Sequence, residues 1–396
     1  MKRGSNVKKP LKTVLVGAGG YAELYLEILL DGKSDDYIDF TAIVDPYAKK
    51  SALYERFKDK IPVYDNLEKC YKHHPADFTI ISTPINLHYS QSITALEHGS
   101  HVLCEKPLVP SMEQLVSLEE KYKKTGKTLS VGFQQCYSNV MRGLKKRVLD
   151  GEFGKPVCLK AFISWPRVLD YYERASWAGK LTLPDGELVR DSVATNATSH
   201  YLQNMLWLLG RRMDEAAYLS NTAVECYKAY DIETFDTMAM RGDASGTEVC
   251  FITTHATNYT INPVFIYEFE KACFITNLFT FDDQIEIHHN NGIVEKLGNF
   301  YGDGIENKPL YTVQSIMGER DFDSPIKTVK PFTEFFDKVF EQVEFYNFPD
   351  ELIIKDIPSR QTYVKNLHLD LYKCFQDGKM PSEIGFPWAK SAAEIS

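Results

Sequence analysis

The sequence predicts an α/β protein of two domains: a doubly wound parallel sheet first, then a domain built on an antiparallel sheet. Three observations predict it. Strand-like and helix-like segments alternate through the first third of the chain, which favours a parallel sheet covered on both faces. A glycine turn, "GAGGYA", sits between the first strand and the first helix. Beyond about residue 150 the pattern changes to consecutive strand-like segments joined by short turns. A chain of 396 residues is also too long for one ordinary core.

The elements follow in order. "KTVLVGAGG" opens with Val14, Leu15 and Val16, the continuous apolar run of a strand buried on both faces. In "YAELYLEILLDG", Leu24, Ile28 and Leu29 fall near helical spacing and Gly32 is the expected stop. "FTAIVDP" is a strand ending at Asp45, "YAKKSALYERFK" a helix, "ADFTIISTP" a strand, "NLHYSQSITALEHGS" a helix and "HVLCEKP" a strand. "SMEQLVSLEEKYKKTG" then reads as helix and "TLSVGFQQ" as strand. After the helix "NVMRGLKKRVLDGEFG" come the strands "PVCLKAFISWPR", "TAVECYKA", "TFDTMAMRG", "TEVCFITTHA", "VFIYEFEK" and "CFITNLFT". Between the first two lies "NATSHYLQNMLWLLG", an apolar helix headed by His200 and ending at Gly210 as at a cap. Two helical stretches, "FTEFFDKVFEQVEFY" and "SRQTYVKNLHLDLYKCFQDG", complete the chain. The domains are expected over 11–135 and 136–390, with a basic tail over 1–10.

Composition removes several classes of function. Hydrophobic residues make up 44% and charged ones 25%, as in a globular chain. A formal charge of −9 speaks against nucleic-acid or membrane-surface partners, which reward a basic field. "MKRGSNVKKPLK" is basic but lacks the apolar run of a signal peptide, and runs such as "MLWLL" are too short to span a bilayer. Eight cysteines without a CxxC pair read as buried free thiols of a cytoplasmic protein. No Cys or His shares the His200 helix at metal-ligand spacing, so no metal is expected there.

The glycine turn carries the first chemistry. Gly17, Gly19 and Ala22 fill the small-residue positions of a dinucleotide fingerprint: a tight turn, close approach of backbone to a pyrophosphate, and close helix–strand packing. Asp45 closes the second strand at about the spacing, ~20 residues, at which an acidic side chain takes the ribose hydroxyls. Its charge repels a 2′-phosphate, so NAD is expected over NADP. Lys49 and Lys50, just downstream, read as a solvated face.

Ligands of a doubly wound sheet sit beyond the carboxyl ends of its strands. There, "STPINLHYS" brings Ser82, Thr83 and Pro84, with Asn86 placed to cap the next helix. His88 in that helix reads as a surface or capping group as much as a cofactor contact. Lys106, after the strand "VLC" and before Pro107, is either a proton relay or electrostatic anchor, or a solvated lysine paired with Glu105.

"VLVGAGGYA", "STPINLH", "HVLCEKPL", "VGFQQ" and "GEFGKPV" occur in this order, and over roughly residues 11–375 the chain resembles the glucose–fructose oxidoreductase, inositol dehydrogenase and rhizopine-catabolism (Gfo/Idh/MocA) family. The resemblance implies a Rossmann domain followed by a C-terminal α/β domain with a large open, mostly antiparallel sheet. It implies NAD(P)-dependent oxidation or reduction of a sugar, inositol or sugar-acid hydroxyl, and a homodimer or homotetramer assembled through that sheet. In the family, a helix in the place of "SHYLQNMLWLLG" begins with a catalytic histidine, which falls on His200.

The implied catalytic set is Lys106, His200 and Asn196. The implied cofactor set is Gly17, Gly19, Gly20, Tyr21, Ala22, Asp45, Ser82, Thr83, Pro84, Asn86, His88, Glu105, Lys106, Gln134 and Trp177. Tyr137, Tyr172, Arg174, Lys180, Asn196 and His255 are the candidate substrate contacts, with His255 also readable as a structural strand histidine. The chain departs from the family pattern where many relatives carry Asp and this one has Asn196; Asp191 stands nearby in sequence as a substitute. Gln203, Gln135 and Cys136 also replace commoner charged residues.

The expected reaction has His200 accept the hydroxyl proton while Lys106 stabilises the charge on the same oxygen. An NAD-dependent glycosidase acting through transient sugar oxidation, and a nucleotide-bound sugar sensor without catalysis, are the alternatives.

Overall fold

A computed structural model describes residues 9–276 and 284–396. Most of the expected basic tail, and the end of "CFITNLFT" beyond Thr276, lie outside the described residues. The chain divides into two compact units. The first comprises residues up to Val109, Glu113–Tyr137 and Asp303–Ile326; the second comprises Pro110–Met112, Ser138–Gly302 and Lys327–Ser396. The return of 303–326 to the first unit differs from the continuous domains expected from sequence, because no local periodicity marks which core a distant helix joins.

The first unit contains β1 (Leu11–Val16), α1 (Ala22–Leu30), β2 (Ile38–Val44), α2 (Tyr54–Phe57), β3 (Val63–Tyr64), α3 (Leu67–His73), β4 (Phe78–Ile81), α4 (His88–Glu97), β5 (His101–Cys104), α5 (Met112–Thr125) and β6 (Leu129–Val131). The strands form a six-stranded sheet in the order β3-β2-β1-β4-β5-β6, parallel throughout. Val14, Leu15, Ile80, Ile81, Val102 and Leu103 are completely buried, which is why these strands read as unbroken apolar runs. The order reverses between β1 and β4, the crevice where such sheets take ligands.

Two local expectations need correction. The helix read over "YAKKSALYERFK" is a short 3-10 turn, Ala48–Lys50, followed by the four-residue α2. In α1 the residues turned inward are Ala22, Tyr25, Leu26 and Leu29, whereas Leu24 and Ile28 are half-buried. Gly32 does close the helix, just beyond the cap residue Asp31 and with φ of 69°.

The second unit runs through α6 (Asn139–Leu149), β7 (Pro156–Ser164), α7 (Leu169–Glu173), α8 (Ser199–Leu208), β8 (Leu219–Lys228), β9 (Thr237–Ala244), β10 (Thr247–Thr254), β11 (Ile261–Phe269), β12 (Ala272–Thr276), β13 (Gln284–His289) and β14 (Val294–Asn299). After the excursion of α9 (Gly304–Ile316) into the first unit come α10 (Ile326–Gln342), β15 (Phe345–Asn347), β16 (Ile353–Asp356), β17 (Gln361–Val364), α11 (Leu367–Asp377), α12 (Pro381–Ile384) and β18 (Ala393–Ile395). A ten-stranded sheet runs β14-β13-β12-β11-β7-β10-β9-β8-β15, with β18 on β8. Its pairs are antiparallel except β7 with β10 and β8 with β15. Both exceptions join strands separated by helices, the long connection that parallel pairing requires.

Alternate residues of β10 face opposite sides of the sheet. Cys250 and Ile252 pack with Phe162, Leu367, Leu371 and Phe375 against α11. On the other face, Thr253 Oγ1 donates to Thr198 Oγ1 at 3.1 Å, where α8 begins. Near the centre of the sheet α8 packs on one face and α11 on the other, the amphipathic C-terminal helix burying its apolar stripe on the strands. The strand order runs from β14 to β15 without closing on itself, the open sheet that the resemblance implies.

Candidate active site

The fingerprint turn is built as its sequence requires. Gly17 has φ of 100°, and a Cβ there would lie 2.2 Å from Ser82 O, so only glycine allows β1 and β4 to end so close together. Gly20 has φ of 59°, while Gly19 is exposed with open space where a Cβ would stand. Ala22, completely buried, begins α1, whose N-terminus then faces the turn. A cavity of about 540 Å³ opens here, lined by Gly17, Gly19, Asp45, Ser82, Thr83 and Pro84 among others.

Asp45 Oδ2 accepts the Ala18 N–H at 2.8 Å and Oδ1 the Tyr47 N–H at 2.7 Å. These two bonds fix the carboxylate plane and leave each oxygen a lone pair for a ligand hydroxyl. The cavity wall adds Asp65, Glu68 and Gln91, and includes no lysine or arginine. Lys49 and Lys50 are exposed, and Lys50 Nζ lies over the Tyr47 ring at 5.0 Å. Nothing cationic is thus offered to a 2′-phosphate from this wall.

At the tips of β4 and β5 the side chains divide between ligand-facing and supporting roles. Thr83 Oγ1 donates to Gln91 Oε1 at 2.7 Å. His88 is buried, with Nδ1 2.8 Å from Pro107 O and Nε2 2.9 Å from Thr83 O. Burial pushes its pKa down against the pull of those two carbonyls. His88 therefore ties the β4 and β5 tips together, which takes it out of direct cofactor contact. Asn86 lies in a 3-10 turn, Ile85–Leu87, and the N-cap position of α4 falls on Leu87 rather than on Asn86.

Glu105 is buried at the centre of a network that sequence reasoning missed. Its Oε1 accepts the Tyr25 hydroxyl at 2.7 Å and the ammonium of Lys308, and its Oε2 accepts the Lys106 N–H at 3.1 Å. Lys308, from α9, is completely buried, donates to Tyr21 Oη at 3.0 Å, and stands over the Tyr21 and Tyr25 rings. Tyr21 Oη in turn donates to Gln134 Oε1 at 2.8 Å. Burial alone would raise the Glu105 pKa, but Lys308 and Tyr25 outweigh it and hold the carboxyl below its ordinary value. Gly132 makes room: a Cβ there would stand 2.5 Å from Glu105 Oε1. Glu105 and Gln134 are thus supports for Lys106 and Tyr21 rather than cofactor contacts. Lys106 itself is half-buried rather than solvated, and its charge adds to those that hold Glu105 ionised.

Tyr137 leaves the substrate set. It is 1% exposed and its hydroxyl donates to Val131 O at 3.1 Å, inside the first unit. Gln135 and Cys136 are buried beside it.

In the second unit His200 is the second residue of α8 and half-buried, whereas the helix behind it is buried through Leu208. Lys145, completely buried, holds the far end of this helix by donating to Trp207 O at 2.6 Å and Glu215 O at 2.7 Å, where the carbonyl ends favour a cation. Gly210 is not a left-handed cap; a Cβ there would lie 2.0 Å from Glu215 O, so close backbone approach explains it. Gln203 is buried and donates to Thr328 O at 2.8 Å, away from any ligand role.

Asn196 Nδ2 donates to Asp191 Oδ1 at 2.8 Å, and Asp191 Oδ2 accepts the Gly179 N–H at 2.8 Å. Asp191 is 2% exposed, so a buried carboxylate stands directly behind the amide. Tyr172 Oη lies 3.3 Å from Nδ1 of His255, which is buried one residue beyond the end of β10. Arg174 covers both the Tyr171 and Trp177 rings, its Cζ 3.7 and 4.7 Å from their centroids. Lys180 is engaged by Glu233 at 2.9 Å, which removes it as a free substrate cation.

All eight cysteines are free thiols, six of them buried. Among the described residues no cluster of His, Cys, Asp and Glu could hold a metal ion, and no helix is long and apolar enough to cross a membrane.

Residues 11–133 match the family profile described as "Oxidoreductase family, NAD-binding Rossmann fold". The chain is 27% identical over 210 residues to an inositol 2-dehydrogenase of Corynebacterium glutamicum, covering 52% of this chain and 56% of that protein. It is 38% identical over 86 residues to the scyllo-inositol 2-dehydrogenase (NAD(+)) of Bacillus subtilis, covering 22% and 25%. It thus spans little more than half the length of the first relative and a quarter of the second. The WlbA dehydrogenase from Bordetella pertussis, solved in complex with NADH and UDP-GlcNAcA, shares the fold with a TM-score of 0.65 at 20% identity, over 81% of this chain and 93% of that one. With their glycine turn, Asp45 and the Glu105–Pro107 tip, residues 11–133 are similar to the NAD-binding Rossmann part of the oxidoreductases that this profile describes.

Proposed function

We propose that this protein oxidises, or in reverse reduces, a secondary hydroxyl of a sugar, inositol or sugar acid with NAD, using Lys106 and His200. The observation that carries the reading is the cavity at the strand-order reversal, where a pre-oriented Asp45 and the open Gly19 fit an adenosine ribose and a pyrophosphate. NAD, when bound there, supplies the hydride acceptor.

The chain's own groups supply the rest. Lys106 Nζ donates a hydrogen bond to the reacting oxygen and stabilises the negative charge that develops on it. An imidazole nitrogen of His200 takes the hydroxyl proton, because carbon–hydrogen cleavage without proton loss would leave a protonated carbonyl; such a base contributes roughly 10²–10⁴-fold. Asn196, oriented through its Nδ2 by Asp191, offers its amide oxygen to a neighbouring substrate hydroxyl. Asp191 supplies, one residue removed, the charge that Asn196 lacks. The inositol dehydrogenases among the relatives support a polyol substrate. Assembly as a homodimer or homotetramer through the ten-stranded sheet would engage strands outside the area that α11 covers.

The test is incubation with NAD and a panel of sugars, inositols, sugar acids and aryl glycosides, following NADH and released phenol together. NADH formed without phenol supports the dehydrogenase; phenol released without NADH points to the glycosidase. Neither product from any compound rejects catalysis of this class.

A further inference from the structure

We propose that Arg167, Arg174 and His255 form a recognition site for an anionic group, and that the polyol acted on carries one, either a carboxylate of the sugar itself or a phosphate attached to it. The proposal rests on the oxidoreductase reading and narrows its substrate class.

Three donors gather around one aromatic ring. Cζ of Arg167 lies 4.8 Å and Cζ of Arg174 3.7 Å from the Tyr171 centroid, and the His255 ring centre lies 5.4 Å from it. Arg147, Arg190, Arg241 and Arg360 each hold a carboxylate. Arg167 and Arg174 form no ion pair among the described residues; Arg167 Nη1 donates to Pro166 O at 3.1 Å, and Arg174 Nη1 donates to Tyr171 O. Two guanidiniums left to carbonyls and rings are notable in a chain with a formal charge of −9.

His255 provides the independent observation. It is 1% exposed, and its Nε2 has no hydrogen-bond partner. Burial pushes the Tyr172 phenol far up, so it stays protonated, and we assign it, the stronger acid of the two, as the donor to His255 Nδ1 across 3.3 Å. Burial, reinforced by Arg167 and Arg174, holds the His255 pKa well below its ordinary value. A neutral ring that accepts at Nδ1 carries its proton on Nε2. With that assignment the N–H is a buried donor lacking an acceptor, and Arg167 Nε is likewise buried and unpartnered. Buried donors of this kind call for an acceptor from outside the chain. Asp191, the carboxylate whose charge reaches Tyr171 and Tyr172, is already held by Asn196 and the Gly179 N–H. An oxyanion is the acceptor that suits such donors, and guanidiniums match it in shape as well as charge.

The experiment compares matched compounds on the NAD-loaded protein: glucose, glucuronate and glucose 1-phosphate, with inositol and inositol phosphate as a second series. Affinity is read by calorimetry and KM by NADH formation. One anionic member of a series should bind about tenfold or more tighter than its neutral partner, the effect of a charge-assisted hydrogen bond. Preference for the carboxylate or the phosphate member identifies the source. Arg167→Gln and Arg174→Gln should each raise the KM of the anionic compound toward that of the neutral one, with Arg167→Lys retaining part of the preference. Equal affinity for neutral and anionic members in the unmodified protein overturns the proposal without any variant, as does full preference kept in both Gln variants. Tight anion binding with no NADH from any compound would leave the anion site standing and reject the dehydrogenase. NADH formed equally from neutral sugars would do the reverse.

Discussion

Asp45 shows how much a single side chain can settle. Both of its oxygens are oriented by backbone N–H groups, and the wall around it is acidic rather than basic. Replacing it with alanine removes charge-assisted bonds to two hydroxyls, each about 1.5–3 kcal/mol. Asp45→Ala should therefore weaken NAD by at least about tenfold while weakening NADP less, as measured by calorimetry. An unchanged ratio of the two affinities would show that this carboxylate does not meet the ribose. The placement of Gly17 at the turn and of Asp45 and Lys106 just beyond strand ends was legible in the sequence because it depends on neighbours a few positions away. Asp191 was legible only as a possibility, and the hydrogen bond to Asn196 decides where it stands. Tyr137 misled because an aromatic residue near a strand end reads the same whether it faces a ligand or the core, as it does here.

At the scale of elements, α9 is the part the sequence concealed. Lys308 lies 203 residues from Glu105, and no periodicity or motif joins them. Their pairing secures Tyr21 at the fingerprint turn and the Lys106 N–H at the β5 tip. Lys308→Met leaves a buried carboxylate uncompensated and should cost about 3–5 kcal/mol, seen as a lower urea midpoint. Adding Glu105→Gln should recover much of that loss; if the double variant is no better than the single one, the charge pair is not the cause.

The pH dependence has a definite sign. The Glu105 pKa is depressed in the fold, so its contribution is present above about pH 4.3 and is lost as pH falls through the folded value. The Lys308 pKa is raised, because Glu105 and Tyr21 outweigh the opposing burial, so its contribution holds below about pH 10.4 and is lost on further rise. Elsewhere apolar pattern marked most strands and helices, and errors fell at short pieces such as α2 and β3, where too few residues repeat to set a period; the helix expected from Ser359 also begins only at Leu367, with β17 (Gln361–Val364) before it.

Across the whole molecule, the first unit carries the nucleotide site and the second carries the histidine helix and the arginine cluster. The parallel sheet was readable in its order of elements except for β3 and α3, which no pattern in the sequence marked. The second sheet was readable as strands, but its two parallel pairs and the cover provided by α11 arise from contacts between distant segments. Because NAD is expected to engage the first unit, ligand at about 100 times its Kd should stabilise that unit by ~2.7 kcal/mol. Chemical denaturation with and without NAD checks this, and an unchanged transition would contradict the cavity assignment. The claim on which the account turns is that Lys106 and His200 act on one oxygen, and a double-mutant cycle on turnover tests it most directly. Lys106→Ala and His200→Ala should each lower kcat by roughly 10²–10⁴-fold with NAD affinity retained, and the double variant should fall far short of the product of the two losses. Losses that multiply fully, or NAD binding that disappears in His200→Ala, would contradict it.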